Sequence, residues 1–152
     1  NYESLIKKVE SHGSDLVIKT IDRIANKNIY QEQNENYISY APKIQKEMLL
    51  INCFENSNIN HNKVRAFSPT PGAFVKINKK RLKILKTRKT SIKSPKENIS
   101  KIFIKKNKVL IGCSEHFLEL LEVQFEGKKK MNALNWARGM IIGSKGILLN
   151  ES

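Results

Sequence analysis

The stretch Ala73–Lys93, AFVKINKKRLKILKTRKTSIK, decides the fold. No 3.6-residue period runs through it. Phe74-Val75-Lys76-Ile77 is a short aromatic and β-branched run, and Asn78-Lys79-Lys80 interrupts it. Leu82-Lys83-Ile84-Leu85-Lys86 then partly alternates apolar and basic residues. A strand sends successive side chains to opposite faces. Leu82 and Ile84, with Leu85, are therefore assigned to a core, and Lys83, Lys86, Arg88 and neighbours such as Lys89 to the outside. Lys79, Lys80 and Arg81 are expected on the preceding turn.

Reading outward toward the C-terminus, Ile102-Phe103-Ile104 and Val109-Leu110-Ile111 repeat the pattern across a polar break at Lys105 to Lys108. Phe117 to Phe125 alternates through Leu118 and Leu120, then slips by one to Leu121, Val123 and Phe125. In a strand that slip implies a bulge. Four to six short strands within about 55 residues predict a small antiparallel barrel. Residues 132–140 read as a short helix, and Gly143 to Leu149 as a last strand or tail.

Toward the N-terminus, Ser57 is the expected cap of a helix over 58–67. Ser68-Pro69-Thr70-Pro71-Gly72 ends that helix, because proline supplies no donor. Residues 27–41 show no period and are read as a linker, and Pro42 opens a short mixed segment. Residues 3–10 and 14–26 read as two helices broken at His12-Gly13, with Leu16, Val17, Ile21 and Ile24 at helical spacing. The fold class is α+β: two N-terminal helices, a linker, a short helix and a small antiparallel β-barrel. Asn1 leads straight into helix-like sequence, so the chain is expected to be a piece of a longer protein.

The chain has 152 residues, one domain or a small domain with an appendage, and enough apolar content (39%) for a modest core. No apolar run approaches the roughly 18 residues of a membrane-spanning helix. Cys53 and Cys113 are too few and too far apart in sequence for a disulfide framework or a CxxC metal site, which fits a reducing compartment.

The net charge is +14, and Lys, Ile and Asn make up 58 residues. An AT-rich genome alone would favour those three residue types, but it would spread them. Between Lys76 and Lys108 there are 14 Lys or Arg and one acid, Glu97, while the other 119 residues carry a net +1. Charge concentrated in this way is the footprint of a polyanionic partner.

Several stretches together resemble the C-terminal half of methionyl-tRNA formyltransferases. They are Tyr40-Ala41-Pro42-Lys43-Ile44-Gln45-Lys46-Glu47, Val64-Arg65-Ala66-Phe67-Ser68-Pro69-Thr70-Pro71-Gly72-Ala73-Phe74, Leu82-Lys83-Ile84-Leu85-Lys86 and Leu118 to Met131. The last runs on into a helix ending Trp136-Ala137-Arg138-Gly139. Each is weak alone; four in order are specific. The chain departs from that pattern at Asn52-Cys53, where the family often has Asp-Trp, and at Thr70, where it usually has Trp.

The resemblance implies remnant helices of a catalytic domain over 1–26, a linker over 27–56, and an OB-like tRNA-binding domain over 57–152. It implies initiator methionyl-tRNA as partner, a missing N-terminal catalytic domain in cis, and 10-formyltetrahydrofolate as co-substrate of the full enzyme. It implies no cofactor, metal or membrane for this part. The expected location is cytoplasmic, in a bacterium with an AT-rich genome, or organellar.

No catalytic motif is visible in the chain itself. His12, His61 and His116 have no converging partners in sequence, and no nucleophile elbow, HExxH or phosphate-binding glycine loop occurs. The part is expected to be inactive alone. The expected nucleic-acid contacts are Lys43, Lys46, Lys79, Lys80, Arg81, Lys83, Lys86, Arg88, Lys89, Lys128, Lys129 and Lys130. Phe74, Phe103, Phe117 and Phe125 are assigned to the core, so phosphate contacts to structured RNA are expected, not base stacking. Two other readings stay open: a structural module of a formyltransferase acting on sugar nucleotides or folate, and a general nucleic-acid-binding barrel.

Overall fold

The computed structural model describes residues 1–26, 32, 34–140 and 146–149. Of the expected linker, 27–31 and 33 lie outside the described residues, as do 143–145 of the expected tail. The chain divides into two compact units, Glu3–Gln45 and Lys46–Ser152, the second joined by Asn1–Tyr2.

The first unit is built on α1, Tyr2–Ala25. The break expected at His12-Gly13 does not occur. A glycine inside a helix costs about 1 kcal/mol, whereas ending one helix and starting another means a second nucleation. Local side-chain bonds also occupy this turn: the Ser11 hydroxyl donates to the Lys8 carbonyl at 3.0 Å, and His12 Nδ1 lies 2.9 Å from the same oxygen. α1 buries no residue. Leu5, Val9, Leu16, Val17, Ile18, Ile21 and Ile24 range from 51% to 66% exposed. No described helix is long and apolar enough to cross a membrane.

The second unit begins with a 3-10 turn, Glu47–Leu49. The Ile51 amide then donates to the Phe74 carbonyl at 2.9 Å, which lays this entry segment along the first strand. Helix α2 spans Ser57–Phe67. Its cap is Asn56, one residue before the expected Ser57: the Asn56 side chain accepts from the Asn58 amide at 2.7 Å, while Ser57 is buried. α2 stops at the Ser-Pro-Thr-Pro run, where the Ser68 hydroxyl donates to the Leu85 carbonyl at 2.6 Å. Gly72 has φ +90°, a left-handed value that favours glycine, and it closes the bend by donating to the Phe67 carbonyl at 2.9 Å.

The strands are β1 Ala73–Ile77, β2 Lys80–Lys93, β3 Lys101–Lys105, β4 Lys108–Gly112, β5 His116–Phe125, β6 Met131–Asn132 and β7 Ile147–Leu148. Among the described residues they form one antiparallel sheet, ordered β1-β2-β5-β4-β3-β7, with β6 also on β5. The sheet curls into a nearly closed, OB-like barrel, and the fold class is the one expected. α3, Ala133–Gly139, packs on it. Its core holds Ile77, Leu82, Ile84, Ile102, Val109, Ile111, Leu118, Val123 and Trp136. Each fully buried aliphatic side chain of this kind contributes roughly 1.5–3 kcal/mol.

Two details position the outer face. The β2–β5 register slips twice in succession: Ile84 pairs Val123, Lys86 pairs Glu122 and Thr87 pairs Leu120. Leu85 is thus the extra residue on β2 and Leu121 the extra residue on β5, where the sequence slip lay. Gly112 sits where the Asn98 carbonyl presses on β4, leaving no room for a Cβ.

The fold also unites Cys53 and Cys113, 60 positions apart in sequence. Both are buried free thiols in hydrogen-bond contact. That contact and burial push the Cys53 thiol well above its ordinary range.

Candidate nucleic-acid interface

The basic residues of β2 reach the surface because its apolar residues are consumed inside. Leu82 and Ile84 are fully buried, and Leu85 nearly so. Asn78 and Lys79 adopt left-handed φ values of 49° and 66°, giving a two-residue turn between β1 and β2. Lys79 therefore sits on the turn, while Lys80 and Arg81 already belong to β2. The Arg81 guanidinium lies 5.8 Å from the Phe74 ring centroid, and its Nε is 3.9 Å from the Glu126 carboxylate. Lys83 is half-buried, with its stem over Gly72.

Beyond the bulge the cations divide between two sides of β2. Arg88 lies 3.7 Å from the Glu119 carboxylate of β5. Thr87 and Lys89 instead face α2, where the Thr87 hydroxyl and His61 Nδ1 are 2.8 Å apart. Burial, Arg65 and Lys89 together hold the His61 imidazole below its ordinary value. Lys89 and Arg65 thus form one small cationic group, and Lys86 with Arg88 belong to another.

That second group gathers residues remote in sequence. Glu122 pairs with Lys86 in the β2–β5 register and lies 3.5 Å from the Lys130 ammonium. Lys128, Lys129 and Lys130 are exposed in the turn after β5, where Gly127 takes φ +74°. Lys108, at the start of β4, reaches Glu119 from the other side at 3.7 Å. Sequence reading counted Lys108 in the basic stretch but did not name it as a contact. Only the strand register relates it to Arg88. Among the described residues, no ion pair involves Lys79, Lys80, Lys83, Lys86, Lys89, Lys128 or Lys129. Lys46 is exposed at the start of the 3-10 turn in the barrel unit; Lys43 is exposed in the other unit.

Phe74, Phe103 and Phe117 are buried and Phe125 is half-buried, as expected. Phe103 and Phe117 meet edge-to-face, with ring centroids 5.1 Å apart. Phe54, which precedes α2, is an exposed aromatic of the barrel unit. No group of three or more His, Cys, Asp or Glu that could hold a metal occurs among the described residues. This surface offers ammonium and guanidinium groups from β2, β4 and the turn after β5. It can neutralise a phosphate backbone, and it has little with which to read bases.

Residues 43–140 match the family described as "Formyl transferase, C-terminal domain". The chain belongs to this family. Like the family match, the similarity to individual proteins runs through the barrel. The chain is 32% identical to a methionyl-tRNA formyltransferase of Syntrophomonas wolfei over 99% of its length, covering 48% of that protein. It is 33% identical to the methionyl-tRNA formyltransferase of Lactobacillus gasseri over 90% of its length, covering 44% of that protein. The chain thus spans about half the length of the curated relatives it matches. Among solved structures, a variant of HypX from Aquifex aeolicus superposes with a TM-score of 0.60 at 15% identity, over 91% of this chain and 24% of that one. A second, HypX in complex with tetrahydrofolic acid, superposes with a TM-score of 0.57 over 81% of this chain and 22% of that one. At that identity the likeness is one of fold. The matched residues take in strands β1 to β6 with helices α2 and α3.

Proposed function

We propose that this chain is the tRNA-binding C-terminal part of a methionyl-tRNA formyltransferase. The whole enzyme then transfers a formyl group from 10-formyltetrahydrofolate to the amino group of initiator methionyl-tRNA. A new C–N bond forms at the methionyl nitrogen, the folate C–N bond breaks, and tetrahydrofolate leaves. That chemistry belongs to an N-terminal catalytic domain in cis, of which residues 1–26 are the final helical part, with a linker between them and the barrel unit that begins at Lys46. The barrel over 57–152 supplies affinity and orientation.

The observation that carries this reading is the convergence of cations from three elements on one barrel. Lys86 and Arg88 come from β2, Lys108 from β4 and Lys130 from the turn after β5. The barrel core needs none of them, since their charged ends lie outside it. Releasing counterions from a polyanion is the free-energy gain such a surface is built to collect. Initiator selectivity resides elsewhere, because phosphate contacts carry no base information.

The test is a salt titration of binding by the 152-residue chain to initiator tRNA, an elongator tRNA and a duplex DNA of equal charge. The expected result is an affinity that falls linearly in log–log form with salt and is equal for the two tRNAs. No binding to either tRNA at about 50 mM salt would contradict the proposal. It would favour the reading in which the barrel only shapes the enzyme.

A further inference from the structure

Glu119 is anomalous for a residue on the outside of a barrel. Its neighbours Leu118 and Leu120 point into the core, so Glu119 points out. Yet its side chain is only 7% exposed. On β4 its register partner is Leu110, which packs with Phe103 and Phe117 in a small second apolar cluster. On β2 its partner is Arg88. A carboxylate buried beside apolar side chains is costly unless opposite charge meets it. Two cations do so, from the strands on either side. Arg88 Nη1 and Lys108 Nζ each lie 3.7 Å from the same oxygen, Oε2.

The two cations are themselves well exposed, with side chains 63% and 47% accessible. The carboxylate therefore lies beneath them. Neither contact reaches hydrogen-bonding distance, and Oε2 has no hydrogen-bond partner among the described residues. The charge attracts both groups while, among the described residues, their side-chain N–H donors remain unspent. Long basic side chains lose considerable rotamer freedom when they engage a phosphate. A fixed anion below them removes part of that cost in advance.

We propose that Glu119 is a positioning residue of the RNA interface, holding Arg88 and Lys108 ready to grip neighbouring phosphates. This rests on the tRNA-binding reading above. It predicts a sign opposite to bulk electrostatics. Glu119→Gln raises the net charge by one, which alone tightens binding to a polyanion. If Glu119 positions the cations, the same change weakens binding.

The experiment measures initiator-tRNA affinity at low salt for wild type, Glu119→Gln, Arg88→Gln and the double variant, with thermal melting of each. The expected result is a three- to tenfold loss for Glu119→Gln. Arg88→Gln is expected to cost less in the Glu119→Gln background than in wild type, the signature of coupled residues. If Glu119→Gln lacks a cooperative melt, Glu119→Asp, which keeps the charge and shortens its reach, takes its place with the same expected loss. Binding by the variant equal to or tighter than wild type overturns the inference and leaves the tRNA reading intact. Absence of wild-type binding overturns both.

Discussion

His61 shows how one side chain ties the helix to the charged face. It reaches from α2 to the Thr87 hydroxyl of β2, and burial with Arg65 and Lys89 keeps its imidazole below the ordinary value of 6.5. The folded chain therefore binds this proton less readily than the unfolded chain. Stability from this group is complete above the unfolded value and is lost as pH falls through the lowered folded value. Between pH 7 and pH 5 the melting temperature of wild type should fall further than that of His61→Gln. Equal falls would mean that the imidazole titrates as if exposed. The three histidines could be seen in sequence to lack a catalytic motif. Thr87 as a partner could not, because the contact joins residues 26 apart across two elements.

At the scale of elements, the β-branched runs were legible because a barrel strand must feed its core at every second position. Leu82, Ile84, Leu118 and Val123 are all buried as that period requires. The slip in β5 was legible too, since Leu121 breaks the alternation where the register shifts. The full length of β2 was not. Thr87 to Lys93 has no apolar alternation, and that segment is a strand because β5 pairs with it and Thr90 donates to the Phe117 carbonyl at 2.6 Å. The single α1 was missed for a different reason: a glycine weakens a helix without having to end it. Two substitutions probe these elements. Gly112→Ala forces a methyl onto the Asn98 carbonyl and should cost about 1–3 kcal/mol or more. Asn56→Ala removes the α2 cap and should cost about 1 kcal/mol. Urea unfolding checks both, and a cost for Gly112→Ala no larger than that for Asn56→Ala would contradict the close approach at β4.

At the scale of the whole molecule, two surfaces remain outside the barrel core. One is the apolar face of α1, where Leu5, Val9, Leu16, Val17, Ile18, Ile21 and Ile24 are each more than half exposed. Exposed apolar side chains in this number on one helix are unusual on a monomer. This face should bind a hydrophobic fluorescent dye, and Leu16→Lys with Ile21→Lys should abolish most of that signal. Unchanged fluorescence would mean that this face is covered in solution.

The other surface is basic. Its existence could be read from composition, because charge crowded between Lys76 and Lys108 cannot come from a uniform genomic bias. Its arrangement could not be read that way. Strand register brings Lys108 and Lys130 beside Lys86 and Arg88 and turns Lys89 toward α2.

The most direct measurement separates the place of the charge from its amount. Initiator-tRNA affinity is compared for wild type, for Lys83→Glu/Lys86→Glu/Arg88→Glu on β2, and for Lys7→Glu/Lys8→Glu/Lys19→Glu on α1. Both variants change the net charge equally. Binding through the barrel predicts a loss of about tenfold or more for the β2 variant and a much smaller loss for the α1 variant. Equal losses would show that the lysines act only as bulk charge and that the barrel has no RNA-binding face.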